Sequence, residues 1–237
     1  KDTGILAGVE LALKIFEVVD AGLQTTIIKN DGDRIRNGDI AFIVEGKAQS
    51  ILMAERLVLN CMQRMSGIAT YTHKLCMLIE GTPARLMDTR KTTPNFRLME
   101  KWAVAIGGGM NHRFALYDMV MLKDNHIDMA GGVRAAIEQV HGYLRTNNKS
   151  LKIEVETRTL AEVEEVLQVG GVDVIMLDNM STDQMKQAVK LIGGKHKTEA
   201  SGGITETTLR AVAECGVDYI SVGALTHSVK SLDLSLK

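Results

Sequence analysis

Gly171-Val172-Asp173-Val174-Ile175-Met176 and Gly216-Val217-Asp218-Tyr219-Ile220-Ser221 are near-copies of one another. In each, a glycine ends a helical pattern and a β-rich run begins at once. Working outward from this pair, strand-like runs fall at 84–88, 119–123, 151–156, 173–178, 197–201 and 218–222. Helical patterns at 96–106, 133–145, 159–169, 182–192 and 205–215 separate them. Strands that alternate with helices predict a parallel sheet. The runs open onto Asp88 with Arg90 and Lys91, then Lys123, Glu156, Asp178, Ser201 with Gly202 and Gly203, and Gly223. In a βα barrel such exits share one rim, where catalytic groups stand. A doubly wound sheet would also gather function at its carboxyl ends, but no Gly-x-Gly-x-x-Gly follows the first strand. The pattern therefore predicts an α/β barrel.

Ahead of it, the apolar run Leu6 to Val19, the strand-like Thr25 to Ile28 and Ile40 to Val44, and turns at Asn30-Asp31-Gly32-Asp33 and Asn37-Gly38-Asp39 predict a small α/β lobe. From about Ser50 to Glu80 the spacing is helical and reads as one helix or, with a break at Ser66-Gly67, as two. The 237 residues suffice for a barrel-sized core, and 45% apolar with 24% charged residues is ordinary for a globular chain. A net charge of -1 argues against broad nucleic-acid or membrane adhesion. No stretch reads as a signal peptide or membrane anchor. Cys61, Cys76 and Cys215 lack paired spacing and read as reduced core thiols, which predicts a cytoplasmic protein.

Against that neutral background, Arg90, Lys91, His112, Arg113 and Lys123 each follow a strand or a glycine-rich turn. Together they predict a site for a small, highly charged anion, although each alone would read as a solvated charge. Arginine offers carboxylates and phosphates a planar fork, whereas lysine supplies a mobile point charge. Glu156 and Asp178 end consecutive strands within this basic setting. They suit magnesium held together with substrate phosphates and water, or else salt bridges to Lys123 or Arg113. Ser201-Gly202-Gly203 before a helix near Thr205, and Gly223, predict a phosphate site at backbone N–H groups and a helix terminus, with tight turns as the alternative. His126 is expected to orient the rim beside Lys123. Arg56 lies too far back along the chain to reach the rim without a tertiary or subunit contact, and a helix-surface ion pair is its plain reading.

The chain closely resembles the quinolinate phosphoribosyltransferase family over almost its full length. The resemblance is carried by Glu55-Arg56, Leu59-Asn60, Arg64, Ser66 to Ala69, and Asp88-Thr89-Arg90-Lys91-Thr92-Thr93-Pro94. It continues through Gly107 to Arg113, Lys123 to His126, Glu154-Val155-Glu156, Leu177-Asp178-Asn179, Glu199 to Ile204 and Ser221-Val222-Gly223. It implies an incomplete, seven-stranded TIM-like α/β barrel over 57–225. Beside it stands an α/β sandwich lobe, 1–56 plus 226–237, which in the family has further sequence ahead of it. It also implies a homodimer, or an assembly of dimers, in which Arg56 reaches the partner's site.

Carried over, Arg56, Arg90, His112 and Arg113, with Lys123 close by, would hold the carboxylates of quinolinate. Lys91 would face phosphoribosyl pyrophosphate. Glu156 and Asp178 would organise magnesium and ribose, and Ser201, Gly202, Gly203 and Gly223 would bind the 5-phosphate. Lys91, Lys123, Glu156 and Asp178 would then surround the reacting centre. Two other readings are a related transferase acting on a single-carboxylate acid such as nicotinate, and a silent anion-binding barrel. Several cations for one small acid favour two carboxylates over one. The acidic pair weighs against a mere anion binder.

Overall fold

The computed structural model describes residues 2–237. The chain runs through β1 (Gly4–Ile5), α1 (Val9–Val19), β2 (Gln24–Ile27), β3 (Arg34–Ile35), β4 (Phe42–Glu45), α2 (Ala48–Leu78), β5 (Arg85–Met87), α3 (Arg97–Ile106) and β6 (Met119–Leu122). It continues through α4 (Asp124–Ala130), α5 (Val133–Thr146), β7 (Lys152–Thr157), α6 (Leu160–Val169), β8 (Val174–Asp178), α7 (Thr182–Ile192), β9 (Lys197–Ser201), α8 (Leu209–Ala213), β10 (Tyr219–Ser221) and α9 (Ala224–His227). These form two compact units. The first holds the chain up to Met77 with Lys91–Asn111 and Gly223–Lys237; the second holds Leu78–Arg90 with His112–Val222.

The second unit is a six-stranded parallel sheet in the order β5-β10-β9-β8-β7-β6. From β6 to β10, sequence neighbours are spatial neighbours, yet the first strand, β5, pairs with the last, β10. That pairing curls the sheet into a TIM-like barrel with a seam between β5 and β6. All six strands are where the sequence places them. The seventh implied by the resemblance is not among the described strands of this sheet, and Met110, between α3 and β6, is only an isolated bridge residue. The glycines before it explain this, since Gly108 has φ 93°, a conformation foreign to a strand. The short helix α4 was not foreseen.

The duplicated Gly-Val-Asp phrase has one structural meaning. Asp173 donates its N–H to the Ile153 carbonyl (2.8 Å) and accepts the Ile153 N–H at Oδ2 (2.8 Å). Asp218 does the same with Thr198, at 3.1 and 2.9 Å. The Asp173 and Asp218 carbonyls then accept the N–H groups of Lys197 (3.1 Å) and Arg85 (2.9 Å). Each aspartate thus staples the starts of both neighbouring strands, and Asp218 does so at the β5–β10 closure. This is the end opposite the functional rim, where barrel residues serve stability.

In the first unit β1 pairs antiparallel with β3, and β2 with β4. Val9, Ala12 and Phe16 of α1 meet Ala54, Val58 and Met62 of α2 in one buried cluster with Leu6, Ile35 and Leu232. The i, i+4 and i, i+8 spacing of the α2 members puts them on one face. Phe16 and Phe42 meet edge to face, with ring centroids 5.9 Å apart. The C-terminal tail returns to this lobe, Leu232 N–H donating to Gln63 O (2.9 Å) and Gln63 Nε2 to Leu234 O (2.7 Å). The alternative of a break at Ser66-Gly67 is excluded, for α2 runs unbroken from Ala48 to Leu78. The helix also continues past the anticipated domain boundary at Arg56. Ser66 Oγ accepts the Ala7 N–H (2.9 Å), and a Cβ on Gly67 would strike the Lys230 carbonyl. These residues are small because backbone passes close by, not because the helix ends.

Candidate active site

In the second unit, β5 delivers Asp88 and Arg90. The buried Asp88 accepts the His112 N–H at Oδ1 (2.9 Å) and so fixes where the chain re-enters this unit. Arg113 follows, and its Nη1 donates to Met119 O (3.1 Å). Burial, and next the neighbouring Arg90 charge, hold the Arg113 guanidinium below its usual range, with Glu154 and Asp118 opposing. Two cations close enough to disfavour each other's charge suit a place for an anion.

β7 and β8 bring the acidic pair. Glu156 is buried, and its carboxyl is pushed up first by burial and then by Asp178, while Lys123 pulls the other way. The two carboxylates and the lysine therefore form one electrostatic group. Lys123 closes β6, and its backbone N–H donates to His126 Nδ1 (3.0 Å), the orienting contact expected of that histidine. Asp178 accepts from Asn179 Nδ2 (2.7 Å), and the Asn179 N–H donates to Ser201 O (2.9 Å). Gly202 and Gly203 follow with φ 89° and 60°, and a Cβ on Gly202 would collide with the Asn179 carboxamide. Only glycine fits there. The regular helix begins at Leu209, preceded by a turn in which Thr208 Oγ1 accepts the Thr205 N–H (3.0 Å) and the Thr205 carbonyl accepts the Leu209 N–H (2.9 Å), so the chain starts to coil near Thr205 as the sequence predicts.

The first unit holds the remaining candidates. Lys91 is exposed, and its carbonyl accepts from Thr226 Oγ1 (2.8 Å) on α9. A Cβ on Gly223 would lie 3.1 Å from His227 Nε2 and 3.2 Å from Lys91 Cδ. Arg56 projects from α2 with its side chain 78% exposed and its Nη2 3.3 Å from Glu55 Oε1.

The sequence of residues 68–237 matches the C-terminal domain of quinolinate phosphoribosyl transferase, and residues 1–66 match its N-terminal domain. The chain belongs to the quinolinate phosphoribosyltransferase family. "Quinolinate phosphoribosyltransferase [decarboxylating] 1b" of Nicotiana tabacum is 51% identical across all of this chain and 71% of its own length. A "Probable nicotinate-nucleotide pyrophosphorylase [carboxylating]" of Bacillus subtilis is 43% identical across all of this chain and 80% of its own. The crystal structure of NadC from Streptococcus pyogenes matches with a TM-score of 0.94 at 44% identity, covering this whole chain and 82% of that one.

Two residues of this chain have no role that the sequence reading supplies. Glu154 and Glu199, 0% and 1% exposed, face the His112 ring, whose Nε2 lies 2.9 and 3.4 Å from their Oε2 atoms. His112 Nδ1 accepts the Arg113 N–H (2.7 Å). Both ring nitrogens thus meet protein groups. Burial, and then the Glu199 charge, push the Glu154 carboxyl up to about 7. Burial works against charge on the imidazole, but the two glutamates outweigh it and push His112 upward. A signal was available, because period-2 alternation sets Glu154 on the same face of β7 as Glu156.

Proposed function

We infer that this chain transfers the phosphoribosyl group of phosphoribosyl pyrophosphate to the ring nitrogen of quinolinate. Loss of the adjacent carboxylate as carbon dioxide then gives nicotinate mononucleotide and pyrophosphate, a step of NAD biosynthesis. The observation that carries this reading is that the Arg90–Arg113 pair and the Glu156–Asp178–Lys123 group both belong to the barrel unit of a chain in this family. The arginine pair suits an acid with two neighbouring carboxylates, and the acidic group suits a cationic reacting centre.

In this reading Arg90 and Arg113 grip the quinolinate carboxylates, with Arg56 supplied by a partner subunit and Lys123 close by. Lys91 meets the pyrophosphate end of the donor, and Ser201, Gly202, Gly203 and Gly223 its 5-phosphate. As pyrophosphate leaves, the anomeric carbon gains oxocarbenium character, which the Glu156 and Asp178 carboxylates stabilise. The pyridine nitrogen attacks and becomes cationic, and that charge stabilises the carbanion left on decarboxylation. The protein contributes position and electrostatics.

Glu156 and Asp178 fit magnesium, since their mutual repulsion is relieved by a cation and two carboxylates leave positions for phosphate oxygens and water. When bound there, the ion would neutralise the leaving pyrophosphate. A homodimer is supported by exposed Leu52, Met53 and Leu57, which flank Arg56 on α2. A cytoplasmic setting is supported by Cys61, Cys76 and Cys215, all free thiols. The test is to supply quinolinate, phosphoribosyl pyrophosphate and magnesium, and to follow nicotinate mononucleotide and carbon dioxide, with nicotinate as a parallel acceptor. Matched formation of both products from quinolinate alone is expected. Product from nicotinate only would overturn the assignment.

A further inference from the structure

One imidazole and two carboxylates are sealed together in the barrel unit. Glu154 stands on β7 and Glu199 on β9, with β8 between them. A single ring that touches both must lie over the concave face of the sheet. Burying two carboxylates against one histidine is costly, and an apolar trio of similar volume would fold at least as well. Both Glu154 oxygens and Glu199 Oε1 even lack a hydrogen-bond partner among the described residues, so the approach to His112 is ionic. A buried arrangement that breaks the rules of core construction points to function.

The contacts show where that function leads. Glu154 and Glu199 engage Nε2 of His112, its Nδ1 accepts the Arg113 N–H, and its own N–H is held by Asp88. The peptide between His112 and Arg113 is thereby pinned from β5, β7 and β9. Beyond it, Arg113 reaches Met119 O, although burial and the Arg90 charge both act against its guanidinium at this position. Left to itself, such a side chain would swing towards water.

We propose that Glu154 and Glu199 are positioning residues that clamp the His112 imidazole and so fix Arg113 beside Arg90, presetting the pair for two adjacent carboxylates on the acceptor. His112 in this arrangement acts through Arg113. The inference rests on the quinolinate reading for its substrate but not for its geometry. The Nε2, Glu154 and Glu199 ligand atoms also lie within 4.8 Å of one another, as around a metal ion. The 2.9 Å approach is an ion contact, since Glu154 Oε2 makes no hydrogen bond among the described residues, and a metal ion held by the trio is the rival reading that the test below decides.

Steady-state kinetics of Glu154→Leu and Glu199→Leu, beside Glu154→Gln and Glu199→Gln, tests the clamp. The leucine variants should raise KM for quinolinate by about tenfold or more, the effect of removing a partner that orients a ligand-binding group. Their kcat and KM for phosphoribosyl pyrophosphate should hold, and the glutamine variants, which keep a polar oxygen facing Nε2, should recover most of the loss. Equal rises in both KM values, or lowered thermal stability with KM for quinolinate unchanged, would overturn the proposal. So would a stoichiometric metal ion retained by the wild type and lost from the Glu199 variants. Should Glu154→Leu fail to fold, Glu154→Asp draws the carboxylate back by one methylene and should show the same rise in KM. A crystal structure of Glu199→Leu separates this idea from the substrate assignment. Arg113 released from Met119 O supports the clamp even if wild type does not turn over quinolinate, and an unmoved Arg113 refutes it.

Discussion

Arg64 and Glu100 form a two-pronged ion pair in the first unit, Nη2 and Nε lying 2.8 and 3.2 Å from the same carboxylate oxygen. Glu100 is fully buried and also accepts the Thr93 N–H (3.0 Å) and hydroxyl (2.8 Å). Arg64 further donates to the carbonyls of Thr226 and Val229. The pair thus ties α2, α3, the segment after Lys91 and the start of the C-terminal tail together. Removing Arg64 leaves a buried charge uncompensated, so Arg64→Ala should cost about 3–5 kcal/mol. Thermal denaturation should show a loss of roughly 6–20 °C at this chain length. The double change Arg64→Leu with Glu100→Leu should recover part of it, since no charge is then stranded. A shift of a degree or less in Arg64→Ala would show that the pair contributes little.

Arg113 and Asp178 should fail differently. Arg113 is half-buried and feels the Arg90 charge, and Asp178 acts on Glu156; in the proposed function the first grips the acceptor and the second stands at the reacting centre. Arg113→Ala should raise KM for quinolinate by about 30-fold or more, equivalent to about 2 kcal/mol. Asp178→Ala should lower kcat by about 100-fold, the usual scale for losing one charge-stabilising group. Initial rates with each substrate varied in turn separate the two. Small, equal effects from both would refute the roles assigned to them.

The strands and their exits were legible because both signals are local. An apolar run followed at once by Arg90, Lys123 or Asp178 needs no knowledge of the rest of the chain. Alternation with Glu156 places Glu154 on the inner face, but its pairing and that of Glu199 were not legible, since the partner is a histidine on a distant loop and the contact depends on the curl of the sheet. Glu100 looks like any acidic residue in the first turn of a helix until Arg64 arrives from α2. The ambiguity at Gly67 has the same origin, a close approach of the Lys230 backbone that local spacing does not reveal. At α4, seven residues opening with Asp124-Asn125-His126 offered too few helical repeats to detect.

Asp218 should make the barrel acid-sensitive. Burial raises its carboxyl, but the Lys197 contact (2.6 Å) and the Thr198 N–H and hydroxyl prevail and hold it below its ordinary 3.8. A depressed folded-state value means stability that is present above pH 3.8 and lost as pH falls through the folded value. With the carboxylate about a third exposed, Asp218→Asn should cost about 1–2 kcal/mol at pH 7 after allowing for solvent screening. Urea midpoints for wild type and variant should converge as the pH drops below 3. A gap that persists undiminished there would show that packing, not charge, sets the effect.

Magnesium removal tests the acidic pair directly. Burial and then the Asp178 charge push the Glu156 carboxyl up at a site that also carries Lys123, so in the proposed reading, without a cation the phosphorylated donor meets two carboxylates with one lysine to offset them. A chelator should therefore abolish turnover and weaken phosphoribosyl pyrophosphate binding, with both restored by added magnesium. In Glu156→Gln with Asp178→Asn the repulsion is gone and the ligands with it. Binding of the donor measured by calorimetry should then lose most of its dependence on magnesium, even where turnover is too slow to follow. Quinolinate binding, which depends on Arg90 and Arg113, should change little in the same variant. If the wild type binds the donor equally well with and without magnesium, the two carboxylates act on the ribose alone and the ion has no site there.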